Sequence, residues 1–373
     1  MNVPFFAPAR EYKKYKGEIS KTLKRVLENG QLCLGFGPDI EEFETSFANY
    51  VGSKHAIMCG AGTQALYLAY KVLGIGQGDE VITTSHTFMA TIDQIVALGA
   101  KPVLVDIGDD GLIDIVKIRE AITPQTKAIV PVHLEGKVCD MVEIMNIAKE
   151  HNLLVIEDAA QAIGAKRNEQ FAGTFGNVGC FSMYPAKVLG SLGNAGMVVT
   201  NDDELAKRLK MLRCNYNIGK NQDTSFVEYG TNMEPDNVQA AVLNVKLKRL
   251  NDLLSKRKKI AEKYDDAFKG LPITLPTKQD GRIYQDYVIR LKDRKEEFVN
   301  YLKEKGIGIL GHNLIPNHKY PSLNLNFELP RTDEYISEQV RIPCSPHLKN
   351  NEVAYIIKSI KDFYEILPTV HNE

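Results

Sequence analysis

Asp158 and Lys187 are the two side chains of this sequence best placed for chemistry on a shared ligand. Asp158 follows the apolar run Leu153-Leu154-Val155-Ile156, where a buried parallel strand ends and a ligand pocket commonly opens. Lys187 stands 29 residues further on, beyond a second short strand pattern at Val178–Phe181 and the turn signal Tyr184-Pro185. A carboxylate that keeps a pyridine nitrogen protonated, and a lysine that forms a Schiff base with an aldehyde, are what pyridoxal phosphate requires. Alone, each residue has a plainer explanation. Most lysines are solvated, and an aspartate after a strand often caps the next helix.

Cys59-Gly60-Ala61-Gly62-Thr63-Gln64-Ala65 forms a glycine-bearing turn between a strand and a helix. Its glycines allow close backbone approach, and the helix start offers free N–H groups and positive partial charge to an anion. Gly62, Thr63 and Gln64 are therefore candidate phosphate contacts, although many such turns carry glycine only for packing. Gly74-Ile75-Gly76-Gln77-Gly78 precedes a strand instead of following one, so it reads as a turn and not a dinucleotide fingerprint. In Thr84-Ser85-His86-Thr87-Phe88 the aromatic ring is placed to stack on a flat ligand or to fill the core. His133 and Glu135 invite a metal reading, but no third ligand stands near them, and no metal is expected.

The elements that must carry these groups are those of an ordinary globular protein. The chain has 373 residues, 44% hydrophobic and 25% charged, which favours two domains. A net charge of −1 without a long basic run gives no electrostatic support for nucleic-acid binding. No apolar stretch reaches the roughly 18 residues of a membrane span, and the first residues lack the basic-then-apolar order of a signal peptide. Six cysteines lack C-x-x-C spacing and several lie in apolar, strand-like settings, as reduced thiols do. The expected compartment is cytoplasmic.

Between residues 53 and 200, strand patterns at 55–58, 80–83, 102–105, 128–131 and 153–156 alternate with helical patterns at 63–72, 89–98, 113–121 and 141–150. Such alternation signals right-handed βαβ units and a mostly parallel sheet covered on both faces. Further strands are expected near 178–182 and 196–200, then a helix opening on the acidic turn Asn201-Asp202-Asp203-Glu204. One long helix is expected from Asp236 to Phe268, bridging to a smaller α+β lobe with a strand at 287–291 and helices near 295–304 and 351–366. The polar stretch Tyr216 to Tyr229 reads as a long loop, of the kind that is functional or disordered.

Six motifs in one order resemble the sugar aminotransferases of the DegT/StrS type, which share the fold of aspartate aminotransferase. They are GTQAL at 62–66, GIGQGDEVI at 74–82, ALGAKPVLVDI at 97–107, IEDAAQAIGA at 156–165, Lys187 after Tyr-Pro-Ala, and QAAVLNVKL at 239–247. The resemblance covers nearly the whole chain. It implies the pyridoxal-phosphate-dependent transferase fold of type I: a mostly parallel, seven-stranded sheet flanked by helices, with a large cofactor domain over 1–250 and a small C-terminal domain over 251–373. Lys187 would form the Schiff base, Asp158 would pair with the pyridinium nitrogen, and Gln161 would sit near the ring's 3-oxygen. Gly62, Thr63 and Ser182 would hold the phosphate, and Phe88 would stack on the ring. Asn232 matches a residue that reaches the phosphate from the neighbouring subunit, so the site would be completed only in a homodimer. The implied reaction moves an amino group from an amino acid, in this family usually L-glutamate, to a nucleotide-linked keto-sugar, for surface polysaccharide or a secondary metabolite.

Departures from the family pattern cluster where substrate would bind. Glu234 stands where an arginine is usual, Cys214-Asn215-Tyr216-Asn217 lacks the usual Asn-His-Gly-like run, and Gly193-Asn194-Ala195-Gly196 is nearer to the Gly-Asp-x-Gly form of some 3-keto-sugar enzymes. Glu135 replaces an aromatic residue, and Gln285 a common histidine. His86, Tyr184, Glu234 and His318 are candidate sugar contacts. Three rival readings are a sugar dehydratase, disfavoured because those relatives replace the lysine; a catalytically idle or regulatory protein on the same scaffold; and a generic amino-acid aminotransferase. The last would need a carboxylate-clamping arginine, for which Arg331 and Arg341 are the candidates.

Overall fold

The computed structural model describes residues 1–32, 37–214, 229–323 and 325–366. Two helices that the apolar patterning leaves unmarked open the chain. Helices α1 (Pro8–Asn29) and α2 (Pro38–Val51) each begin on a proline and end against a glycine of positive φ, the asymmetry expected of helix ends. The expected alternation follows: β1 (His55–Cys59), α3 (Gly62–Val72), β2 (Glu80–Thr84), α4 (Ala90–Ala97), β3 (Lys101–Val105), α5 (Ile115–Glu120), β4 (Thr126–Ile129), α6 (Met141–His151) and β5 (Leu154–Asp158). A small hairpin, β6 (Lys166–Arg167) with β7 (Gln170–Phe171), precedes β8 (Val178–Ser182) and β9 (Gly196–Thr200). Helix α7 (Asp203–Leu212) opens where the acidic turn predicts, with Asp202 accepting from the N–H groups of Glu204 and Leu205.

Seven strands form one sheet in the order β1-β9-β8-β5-β4-β2-β3. The run from β8 to β3 is parallel throughout. Strand β9 is antiparallel to both β8 and β1, so β1 again points with the parallel set. The carboxyl ends of β1, β2, β4, β5 and β8 therefore share one edge, which is where open α/β sheets bind ligands. Apolar side chains cover both faces. Phe43 and Phe47 of α2 and Phe181 of β8 belong to one core cluster, while Leu66, Leu68 and Tyr70 of α3 join Val198 and Leu209 in the other.

The long helix expected over 236–268 is two helices, α8 (Asn237–Leu247) and α9 (Leu250–Ala267). They break at Lys248-Arg249, and α9 runs from the core of α8, which it still shares through Leu250, to a second core. Ala240 and Leu243 of α8 pack with the large sheet. Ile260, Ala261 and Tyr264 of α9 pack with β10 (Tyr287–Arg290), α10 (Lys295–Glu304) and α12 (Asn350–Ile366). Helix α11 (Pro330–Glu338) leads directly into β11 (Gln339–Ile342), a strand the sequence patterning does not mark, which pairs antiparallel with β10. Val3 also belongs to this second core and bridges Ile307. Residues Tyr216 to Glu228 of the expected polar loop, and Asn215, lie outside the described residues. Among the described residues no helix is long and apolar enough to cross a membrane.

Phe47 is fully buried and meets Phe181 edge-on, with ring centroids 5.1 Å apart. Phe47→Ala is expected to lower unfolding free energy by about 3–5 kcal/mol, because the cavity left behind adds to the lost transfer energy. Denaturant unfolding monitored by circular dichroism checks this; a change below about 1 kcal/mol would contradict the packing described.

Candidate active site

The common carboxyl edge encloses a cavity of about 520 Å³. Gly62, Thr63, Phe88, Asp158, Gln161, Ser182, Tyr184 and Lys187 all line it. Eight sequence candidates are thus brought together from four stretches of chain.

Asp158 is the last residue of β5, not the residue after it, and is almost wholly buried. Its Oδ2 accepts from the Thr91 hydroxyl at 2.7 Å and its Oδ1 from the Ala160 N–H at 3.1 Å. Thr91 escaped the sequence reading. It is one polar residue on a short amphipathic helix, and only the fold carries α4 over the end of β5. The two bonds fix the carboxylate and leave it acceptor capacity toward the cavity.

Lys187 ends a tight turn in which its own N–H donates to the Tyr184 carbonyl at 2.8 Å. Its Nζ has no hydrogen-bond or ion-pair partner among the described residues. Burial pushes this amine below the ordinary lysine range, Arg341 acts in the same direction, and Asp286 and Asp158 oppose. A lysine held in this way is more readily a neutral amine, and hence a nucleophile or base, than one in water.

At the opposite end of the cavity, α3 begins without a side-chain cap, and its first bond is from Ala65 N–H to the Ala61 carbonyl. The N–H groups of Gly62, Thr63 and Gln64 therefore have no partner among the described residues. A Cβ at Gly62 would stand 2.7 Å from that of Ser182, so only glycine lets this helix start meet the end of β8. The Ser182 hydroxyl lies beside these N–H groups, a pairing suited to a phosphate.

Gln161 receives the Glu135 N–H on its Oε1 at 2.9 Å, so its amide NH₂ is the end left for a ligand. Glu135 is buried at a φ of 59°, a conformation unusual for a residue with a side chain. Burial opposes its charge, yet Lys137 at 3.0 Å and Arg282 at 3.3 Å outweigh burial and hold the carboxyl down to about 2, while the Tyr335 hydroxyl donates at 3.0 Å. His133 does not share a ligand with Glu135. It pairs with Glu157 at 2.8 Å, and Glu157 also accepts the N–H groups of Gly173, Phe175 and Gly176.

Five sequence candidates do not line the cavity. The Gln64 side chain is folded beneath Gly60, 2.6 Å from where a Cβ would stand, so only its backbone N–H faces the anion end. His86 is buried, donates from Nδ1 to the Gly111 carbonyl at 2.9 Å and packs on Tyr335. His318 is buried between the Ser85 hydroxyl at 2.9 Å and Asp333 at 3.3 Å. Asn317 beside it donates to the carbonyls of Ser85 and Thr87. Neither His86 nor His318 lines the cavity; their hydrogen bonds tie the loop between β2 and α4 to Gly111 and to the C-terminal part of the chain. Asn232 is exposed, Glu234 half-exposed, and both sit on the segment leading into α8. Of the two arginines weighed for a carboxylate, Arg331 faces Asp109 and Asp114, and Arg341 is paired with Asp286 at 2.9 Å.

A fixed buried acid, an unpaired amine and a positive helix end around one slot fit a flat, cationic heterocycle bearing an aldehyde and a phosphate. Residues 13–361 match the DegT/DnrJ/EryC1/StrS aminotransferase family. The chain belongs to that family. It is 41% identical to the dTDP-3-amino-3,6-dideoxy-alpha-D-galactopyranose transaminase of Aneurinibacillus thermoaerophilus, over 97% of this chain and 99% of that protein. Among solved structures, DesV of S. venezuelae in complex with a ketimine intermediate matches with a TM-score of 0.92 and 37% identity, covering 98% of this chain and 99% of that one. NtdA of Bacillus subtilis, with its cofactor PMP bound, matches with a TM-score of 0.89 and 30% identity, covering 98% of this chain and 85% of that one. The family and the seven-stranded fold expected from the sequence motifs are thereby established.

Burial pushes the His86 imidazole down to about 4, with Glu135 and the Gly111 carbonyl opposing. An unfolded histidine takes up its proton near 6.5. Between those values the unfolded state binds more protons, so stability falls as pH drops from about 6.5 to about 4. His86→Gln is expected to flatten that decline by up to about 3 kcal/mol in a series of denaturant titrations. A decline as steep as in the parent protein would refute the burial argument.

Proposed function

We propose that this chain is a pyridoxal-phosphate-dependent aminotransferase that moves an amino group from L-glutamate to a nucleotide-linked keto-sugar during amino-sugar biosynthesis. One observation carries the reading: the unpaired amine of Lys187 and the Thr91-held carboxylate of Asp158 face the same cavity. The Aneurinibacillus relative, named for a transaminase acting on a dTDP-linked amino sugar, supports the substrate class.

Pyridoxal phosphate, when bound, supplies an electron sink for the pair left by a departing α-proton. Asp158 would hold the proton of the ring nitrogen, since a buried carboxylate favours a cationic partner beside it. The free N–H groups at the start of α3, with Thr63 and Ser182, would hold the phosphate. Gln161 would offer its amide to the ring's oxygen, and Phe88 would cover the ring. Lys187 Nζ, with its basicity lowered by burial, would be the amine base that moves a proton between the two carbons flanking the transferred nitrogen. Tyr184, more than half exposed at the cavity mouth, is the remaining sugar-contact candidate within the chain's own lining.

Asn232 and Glu234 lie outside the lining of their own chain, and Phe88 and Tyr184 are 73% and 54% exposed. These facts support a homodimer in which each protomer supplies Asn232 and Glu234 to its neighbour's cavity.

The test incubates the cofactor-loaded protein with L-glutamate and a panel of UDP-, dTDP- and GDP-linked 3-keto and 4-keto sugars. Glutamate is expected to convert the visible-absorbing cofactor to the amine form, and one sugar to restore it with formation of an amino sugar. Lys187→Ala is expected to lower turnover by about 10³-fold or more, and Asp158→Asn by about 10²-fold. Spectral conversion by glutamate without turnover of any sugar would refute the substrate class; no conversion would point to an idle scaffold.

A further inference from the structure

Gln285 belongs to the C-terminal lobe, two residues before β10, yet its side chain reaches the turn that carries Lys187. Its Oε1 accepts from the Val188 N–H at 3.1 Å, and its Nε2 donates to the Ala186 carbonyl at 3.2 Å. These two bonds, one on each side of Lys187, are those a residue of a parallel neighbouring strand would make. One carboxamide therefore does for Lys187 what a missing strand would do. The residue is buried, so neither bond is traded freely with water.

Gln285 is itself held. Arg257 of α9, also buried, donates from one nitrogen to the carbonyls of Tyr284 at 3.2 Å, Gln285 at 3.0 Å and Cys344 at 3.3 Å. Tyr284 sits at a φ of 51° to bring the chain round. A Cβ on Gly136, whose φ is 82°, would stand 2.9 Å from the Gln285 nitrogen, so only glycine admits this approach. Asp286, the next residue, is buried and paired with Arg341 at 2.9 Å. The clamp is thus built by α9 and the approach to β10, which do not line the cavity, and by the loop after β4, which lends the lining Val132 and Leu134.

We propose that Gln285 is a positioning residue for amino-group transfer: its carboxamide fixes the backbone on both sides of Lys187 and so sets the direction in which the amine enters the cavity. The inference rests on the reading of Lys187 as the reactive amine. Direction matters because the same amine must address in turn the two carbons that flank the transferred nitrogen, and misplacement of a reacting group by about 1 Å can cost about 10²-fold in rate.

The test uses the cofactor-loaded protein and two variants. Gln285→Met keeps length and bulk but makes neither bond; Gln285→Glu keeps the bond from Val188 and loses the donor to Ala186. For both, kcat is expected to fall by about 10- to 100-fold, more in Gln285→Met, while KM for glutamate stays within a few-fold. The pH midpoint of the visible cofactor band is expected to move. A wild-type kcat and band midpoint in Gln285→Met would overturn the proposal. Should Gln285→Met not fold, Gln285→Glu decides alone: a wild-type kcat overturns the proposal and a lowered kcat at unchanged KM supports it. Borohydride reduction of the unaltered protein separates the two levels. A label fixed at Lys187 with unaffected variants refutes the clamp only; no label at Lys187 refutes the reading of the site and the clamp with it.

Discussion

A carboxylate buried at the end of a central strand, and held there by hydrogen bonds, is the constraint around which this fold is arranged. Asp158 closes β5 between β4 and β8, where no side chain escapes to water. Burying such a group unpaired costs several kcal/mol. Here the Thr91 hydroxyl and the Ala160 N–H meet its two oxygens, while its own backbone is tied to Pro131 and His133. The remaining capacity opens on the cavity, and the neighbouring strand ends bring the anion site and the amine to the same slot.

The second organising feature is the traffic of polar contacts between the two cores. Asn317 and His318 reach back to the Ser85–Thr87 loop, Arg282 and Tyr335 reach Glu135, and Gln285 reaches the backbone beside Lys187. Each contact ends on a segment that carries a cavity residue: Phe88, Leu134 or Lys187. The C-terminal lobe therefore supplies little of the cavity surface and much of its geometry. Glu135 shows how strongly this is built, since its ionised carboxyl is neutralised by two cations in a site almost closed to water.

Much of this was legible in the residues. Asp158 and Lys187 stood out because an acid after an apolar run and a lysine after a strand and turn are unusual in combination. Gly62 was legible because a glycine at a strand-to-helix turn has few reasons to be there, and the sheet because apolar runs alternate cleanly with amphipathic stretches. Thr91 and Gln285 were not legible, because their partners lie 67 and 97–99 residues away and only the fold reveals them. The hydrogen bonds that hold His86 and His318 beside the cavity were not legible, since a polar residue at a strand end serves equally as a ligand contact or as a latch. The break at Lys248-Arg249 carries no glycine or proline, so local chemistry gave no sign that two cores divide the helix. Helix α1 hid behind a charge-rich surface, with Tyr15, Ile19 and Val26 its few buried residues.

Val3 lies in the second core, hydrogen-bonded through its backbone to Gly306 and Gly308 and bridged to Ile307. That core thus joins the beginning of the chain to its last third. During synthesis the large sheet has all its strands once residue 200 has emerged, whereas the first few residues must wait for the ribosome to deliver α10 and the turn after it. The exposed Met1 and Asn2 carry the chain out to solvent, so removal of the first three residues would open that core at Val3, whereas an extension ahead of them would not.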